Sequence, residues 1–308
     1  MRFYIVKFSR KNFELLRVVK GILESLRDLL PVTVRQVFYQ VISLPNSPLE
    51  NSKRDYSRLG RLLVKSRLCG EVSFDDIEDR TRYTSNRPIP LEDLLYYYYP
   101  EAWTCQPSYI EVFVEKEGLR SFFVRILRPL YVAVTPMRGF DSLSDVMEAA
   151  KRLHEYEDRP RHIFVFSDFD PSGECIFKDF EFRLKKCLIM LGEEPTTYDE
   201  ENKNIEIPNL QIRKVALTSE QVDRYDLPPK FVKSKDPRAT SFTQKYGQEA
   251  VVEIDALPPQ ILQEIIRQTI VPLLDLEEVE RIQRTVQRIR NEGLEVFQRL
   301  MNLEDADD

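Results

Sequence analysis

Residues 161–174 read RHIFVFSDFDPSGE. Ile163, Phe164, Val165 and Phe166 form an unbroken apolar run, the pattern of a strand buried on both faces. Asp168 and Asp170 end it, and ECIFKDFEFRLKKCLIML (174–191) continues as a helix. The same alternation occurs twice upstream. YIEVFVEK (109–116) is a strand and LRSFFVRILRPL (119–130) a helix; YVAVTP (131–136) is a strand and SLSDVMEAAKRLHEY (142–156) a helix. Downstream, the charged stretch GEEPTTYDEENKN (192–204) reads as a loop and QIRKVALT (211–218) as a strand. From PPQILQEIIRQTI (258–270) to the acidic tail the chain reads as helices. Strands alternating with helices of this length predict βαβ units, and so an α/β fold with a parallel sheet covered on both faces.

The N-terminal part has a different rhythm. Phe13, Leu16, Val19, Leu23, Leu26 and Leu30 place an amphipathic helix over 12–30, which Pro31 ends. Thr33 can cap a second helix with Val34, Val37, Phe38, Val41 and Ile42 on its apolar face, closed by Pro45 and Pro48. A third helix is predicted from Ser52 to about Cys69. Three short helices and a turn-rich segment suit a helix-turn-helix or winged-helix domain. TSNRPIP (84–90) reads as a linker. The four tyrosines Tyr96 to Tyr99 could stack on bases, but suit a helix end packed between domains.

Charge sharpens this division. The 308 residues carry a net −6, yet residues 1–67 hold fourteen Lys/Arg against five Asp/Glu, a net +9, leaving −15 on the other 241. A basic module on an acidic body points to nucleic acid on one side and carboxylate chemistry on the other. Composition also excludes several classes. No apolar stretch approaches the ~18 residues of a membrane span. The start MRFYIVKFSR lacks the apolar core of a secretory signal, which argues against export. Four scattered cysteines without CxxC suit reduced thiols in the cytoplasm, and two histidines nearly exclude a His/Cys zinc site.

Three constellations could carry chemistry. Glu115, Asp168 and Asp170 end two apolar strands, and parallel strands bring such ends to one rim. Carboxylates gathered there repel one another unless a divalent cation holds them, and Mg²⁺ is the hard-oxygen guest; as helix caps they would need no metal. Arg35 and Tyr39, four apart, share a helical face turned roughly 100° from Phe38 and off the apolar stripe. A guanidinium there could bind phosphate and favour a phenolate, although in a chain with fourteen tyrosines Tyr39 can equally be a core-boundary residue. Arg54, Arg58, Arg61 and Lys65 form one basic helical stripe, suited to DNA or RNA phosphates or to solvent. Glu253 and Asp255 are a further acidic pair that could assist a metal, read more simply as a strand end entering a Pro-started helix. His154 and His162 read as packing or surface residues.

These residues resemble a known family. VEKEGL, GFDS and FSDFDPSGE look like a Toprim domain, whose pattern of a glutamate after one strand and D-x-D after a later one matches Glu115, Asp168 and Asp170. TVRQVFYQ resembles the tyrosine motif of the topoisomerase VI A subunit and its meiotic double-strand-break relatives. The resemblance covers roughly residues 31–190. It implies a winged-helix domain over residues 1–88, then a Rossmann-like Toprim domain with C-terminal helices over residues 106–308. By that match Tyr39 is the nucleophile, Arg35 its phosphate-binding partner, and Glu115 also a shuttle for the leaving-group proton. A nucleoid-associated homodimer would then break double-stranded DNA through a 5′-phosphotyrosyl link, with one protomer's tyrosine over the other's metal site. Only 38 residues precede Tyr39, closer to the short "Mini-A" proteins of mobile elements, which leaves dependence on an ATPase B-type subunit open; no P-loop occurs. A Toprim nuclease using water, or a DNA-binding subunit that never cuts, are the alternatives.

Overall fold

The computed structural model describes residues 8–78, 101–137, 143–202, 204–231, 242 and 250–304. The linker at 84–90, Tyr96 to Tyr99 and the GFDS motif at 139–142 lie outside them. Helices α1 (Arg10–Ser25), α2 (Val34–Ile42) and α3 (Lys53–Leu68) follow the sequence reading, except that α1 stops five residues early and gives way to a 3-10 turn. Ser52 caps α3, and Thr33 and Gln36 form a reciprocal capping box at α2. Two-residue strands β1 (Val32–Thr33) and β2 (Ile77–Glu78) pair in parallel behind them. The antiparallel wing expected of a winged helix is not among the described residues, which support the three helices alone.

The body is an α/β unit. Strands β3 (Tyr109–Val114), β4 (Ala133–Pro136), β5 (Arg161–Phe166) and β8 (Leu210–Ala216) form one parallel sheet in the order β4-β3-β5-β8. Between β5 and β8, the predicted charged loop contains a small antiparallel hairpin, β6 (Thr197–Asp199) and β7 (Asn204–Glu206). Only Ile205 of its strands is buried, so no apolar period announced it. Helix α4 (Arg120–Leu127) connects β3 to β4, and α5 (Leu143–His154) returns from β4 to β5 in the opposite direction. Right-handed crossovers therefore put α4 and α5 on opposite faces. Helix α6 (Pro171–Met190) packs beside α5, while β3 and most of β5 are buried on both sides.

The remaining elements are α7 (Ser219–Arg224), the antiparallel pair β9 (Lys230–Phe231) and β10 (Ala250–Val251), and helices α8 (Pro259–Ile270) and α9 (Leu276–Glu304). One apolar cluster runs continuously from Leu15 and Val37 of the helical module through Phe113 and Phe166 of the sheet to Ile266 of α8. Arg125 of α4 strengthens that junction by donating to the carbonyls of Leu29 and Leu30. Among the described residues, no helix is long and apolar enough to cross a membrane.

Candidate active site

The sheet order creates the site. Chain order reverses at β3, whose neighbours β4 and β5 are reached by crossovers running opposite ways, so a crevice opens beyond the C-terminal ends of β3 and β5. Glu115 follows β3 and Asp168 follows β5. Backbone pairing continues past the strand ends: the Glu115 N–H donates to the Phe166 carbonyl (2.8 Å) and the Ser167 N–H to Ala216 (2.7 Å). Glu115 Oε2 accepts from the Asp168 N–H at 2.9 Å, and Asp170 Oδ1 caps α6 at the Gly173 N–H. Gly173 is required here. A Cβ on it would lie 2.6 Å from the Asp168 carbonyl and 3.3 Å from both Glu115 Oε2 and Asp170 Oδ1.

Glu115 and Asp170 therefore bring carboxylate oxygens to one glycine, where Asp168 presents its backbone carbonyl; the Asp168 carboxylate faces the Ile254 N–H at 2.9 Å and Lys116 at 3.0 Å. Three carboxylates at one sheet rim are the donor type Mg²⁺ takes, with water completing its shell, but their oxygens do not all lie within 4.8 Å of one another. The alternative reading as helix caps holds for Asp170 alone, since Glu115 accepts from the Asp168 N–H and Asp168 from the Ile254 N–H rather than capping the helices that follow them. Among the described residues, the set of three such side chains whose ligand atoms lie within 4.8 Å of one another is elsewhere: His154, Glu157 and Glu193. Arg161 already holds Glu193 there through two hydrogen bonds of 2.7 and 2.8 Å.

Lys116, unremarked in the sequence, organises the crevice. Its Nζ lies 3.0 Å from Asp168 Oδ1, 2.8 Å from Asp255 Oδ2 and 3.5 Å from Glu253 Oε2. Burial pulls the ammonium pKa down, but the three carboxylates outweigh it and hold the group charged. Burial pushes the Asp168 carboxyl up to about 7, with Lys116 opposing and Glu115 adding to the rise. Glu115 is raised too, by burial first, against the Asp168 N–H that favours its anion.

Glu253 and Asp255 reach the rim because Val252 pairs with Phe169, their backbones exchanging hydrogen bonds of 2.8 and 3.0 Å. The simpler reading of this pair holds, since a 3-10 turn leads on to the Pro-started α8. They also meet α2. Glu253 Oε2 accepts from Arg35 and, at 3.3 Å, from the Tyr39 hydroxyl, while Asp255 Oδ1 accepts from Thr33 at 3.2 Å. Tyr39 is consequently 1 % exposed. The off-stripe face of α2 is covered by this distant turn, which places Tyr39 with the core-boundary reading. Burial first, then the Glu253 charge, raises the Tyr39 phenol above its ordinary value; Lys116 and Arg35 oppose them. For Arg35, burial pulls downward and Glu253 reverses it, leaving the pKa raised.

The basic stripe is partly intact. Arg54, Arg61 and Lys65 are exposed on α3, with Val64 and Leu68 beside them. Arg58 is half-buried and reaches across to α1, donating to Asn12 Oδ1 and the Lys11 carbonyl at 3.3 Å.

Away from the rim, Tyr109 carries a pH prediction. Its hydroxyl donates to the fully buried Glu111 at 2.7 Å, and burial followed by the Glu111 charge raises its pKa. An unfolded tyrosine ionises near ~10 while the folded one keeps its proton. Above about pH 10 the unfolded chain therefore binds fewer protons, and stability falls by up to ~1.4 kcal/mol per pH unit for this group. Urea midpoints measured across that range should fall less steeply for Tyr109→Phe than for the wild type; equal slopes contradict the assignment. Compared with known proteins, the chain matches no family model and no curated protein.

Proposed function

We propose that the chain is a DNA-cleaving transesterase of the topoisomerase VI A-like kind. One observation carries the reading: three successive contacts, none longer than 3.5 Å, connect the Tyr39 hydroxyl through Glu253 and Lys116 to Asp168. A candidate nucleophile and a candidate metal-holding acid, 129 positions apart in sequence, share one polar cluster within a single chain, which differs from the arrangement across two protomers that the resemblance implies.

In this mechanism the Tyr39 oxygen bonds to a DNA phosphorus as the bond to the 3′ oxygen breaks. The products are a 5′-phosphotyrosyl link and a free 3′-hydroxyl. Glu253 Oε2, 3.3 Å from the phenol, takes its proton, and Arg35 moves from Glu253 to the phosphate. Glu115 returns a proton to the departing 3′ oxygen. Glu115, Asp168 and Asp170 would hold Mg²⁺, which when bound stabilises charge on the phosphoryl oxygens. Tyr39 is buried, so a phosphodiester reaches it only when α2 lifts from the Glu253–Asp255 turn and breaks the Arg35–Glu253 and Thr33–Asp255 contacts. Exposed Arg54, Arg61 and Lys65 supply the duplex phosphate contacts. A homodimer would apply the reaction to both strands, with no ATPase subunit assumed.

The test uses duplex DNA labelled at either the 3′ or the 5′ end, incubated with the protein and Mg²⁺ and run on a denaturing gel. The expected result is a protease-sensitive adduct retaining the 3′ label and releasing the 5′-labelled fragment with a free 3′-hydroxyl. Cleavage without any adduct counts against the proposal. The burial of Tyr39 favours a second reading, a Mg²⁺-dependent nuclease using water, which predicts that outcome.

A further inference from the structure

Among the described residues, helix α9 packs its apolar side on the body over its first half only. Val279, Ile282 and Val286 are buried in one cluster with Ala102 and Tyr131, and the Gln283 side chain donates to the Pro129 carbonyl at 2.7 Å. Beyond Val286 the helix continues to Glu304, 18 further residues or ~27 Å. Apolar side chains on this outer half are open to solvent. Ile289 is 37 %, Val296 54 % and Phe297 38 % exposed.

The exposed residues continue the buried stripe. Val279, Ile282, Val286, Ile289, Gly293 and Val296 alternate spacings of three and four, the a/d pattern of a coiled-coil seam. Phe297 flanks that seam. A stripe of this period has a use for a facing element along its whole length, and the body supplies one only as far as Val286. A solvated helical segment of this length gains little from propensity alone, and Gly293 in its middle costs ~1 kcal/mol relative to alanine. At a seam that cost is offset, since a position without a side chain lets a facing helix come close.

We propose that the outer half of α9 docks on the same half of a second copy of this chain, as an antiparallel two-helix coil about a twofold axis between Leu294 and Glu295. The body dictates the direction. It sits on the seam side of the helix up to Val286, so in a parallel pair the two bodies would compete for one place; reversed, they lie at opposite ends. Charge sets the register. With the axis at this point, Val296 faces Gly293 of the second copy, and Glu292 lies beside Arg299 of the second copy, twice by symmetry. A parallel pair would set Glu292 against Phe297 instead. Glu292 and Arg299 are exposed, and each approaches an opposite charge on its own helix (Arg288 and Glu295) only to 3.9 Å. Exposed pairs of that kind hold little, so both side chains can turn across the seam. No residue of this surface belongs to the Tyr39 cluster, and the assignment does not rest on the cleavage reading.

Sedimentation equilibrium of the full-length protein at micromolar concentration and low salt tests this. The wild type should be a dimer. Val296→Glu should raise the dimer dissociation constant at least about a hundredfold, because the twofold places the new charge in the seam twice. Glu292→Arg and Arg299→Glu should each weaken the dimer about tenfold, or ~1.4 kcal/mol shared over two symmetric pairs. The two single variants, mixed, should pair with each other. The double variant should return to near wild-type affinity. Contacts within one helix cannot give that rescue, since the double variant sets like charges against both Arg288 and Glu295. A wild type that stays monomeric overturns the proposal and leaves the stripe to a different partner. So does a dimer indifferent to Val296→Glu, or a double variant no tighter than either single one.

Discussion

Tyr39→Phe is expected to abolish covalent attachment to DNA and to lower strand cleavage by at least about a thousandfold, the scale on which an enzyme loses rate with its nucleophile. The substitution removes one oxygen and little else. The ring stays in its buried place, edge-on to Phe38 with centroids 5.8 Å apart. The lost contact is the hydroxyl donating to Glu253 at 3.3 Å, worth no more than about 1–2 kcal/mol. Glu253 keeps Arg35 and Lys116 as partners, so its charge is not stranded. The urea midpoint should therefore stay close to wild type while the adduct disappears, which separates chemistry from folding. The denaturing gel and a urea titration on the same preparation check both halves. A variant that cuts at the wild-type rate assigns the site to a water-using nuclease instead, with Tyr39 as a packing residue.

The fold was legible where its causes are local. Thr33 and Ser52 announce the starts of α2 and α3 because a cap is a contact made within three residues. The apolar runs VFV and IFVF announce β3 and β5 because burial on both faces favours apolar side chains at successive positions, the fully buried Glu111 of β3 being tolerated by its pairing with Tyr109 and Arg152. Glu115, Asp168 and Asp170 share a rim because parallel strands end together, and the switch point follows from the sheet order. What the sequence concealed is non-local. Tyr39 lies off the apolar stripe of its helix, and nothing near it signals that a turn 214 positions away will cover it. Glu253 and Asp255 look like the end of a strand; their partners Arg35 and Thr33 are 218 and 222 positions distant. Arg58 fits the basic stripe by spacing, and only the approach of α1 brings Asn12 to take it. Lys116 sits next to a predicted site residue with nothing local to mark it, since its role depends on carboxylates from two remote segments.

That lysine gives the second large effect. Lys116→Gln is expected to destabilise the protein by about 3–5 kcal/mol at neutral pH without added metal, the usual consequence of removing one partner from a buried ion cluster. The Nζ is the shared counter-charge of Asp168, Asp255 and Glu253, all within 3.5 Å, and the side chain is only 24 % exposed. Without it, Asp255 keeps the Thr33 hydroxyl and Asp168 the Ile254 N–H, neutral donors that cannot replace a full charge. Only Glu253 retains a cation, Arg35. A divalent cation supplies what the variant lacks, because closely spaced carboxylates repel one another until a positive charge lies among them. Urea unfolding with EDTA and with excess Mg²⁺ should therefore diverge more for Lys116→Gln than for the wild type, with Mg²⁺ recovering much of the lost stability. Lys116→Arg, which keeps the charge but not the geometry, should fall between the two in EDTA. A Gln variant that unfolds at the wild-type urea concentration would mean that these acids do not depend on Lys116. The electrostatic link between Tyr39 and Asp168 would then lose its middle member.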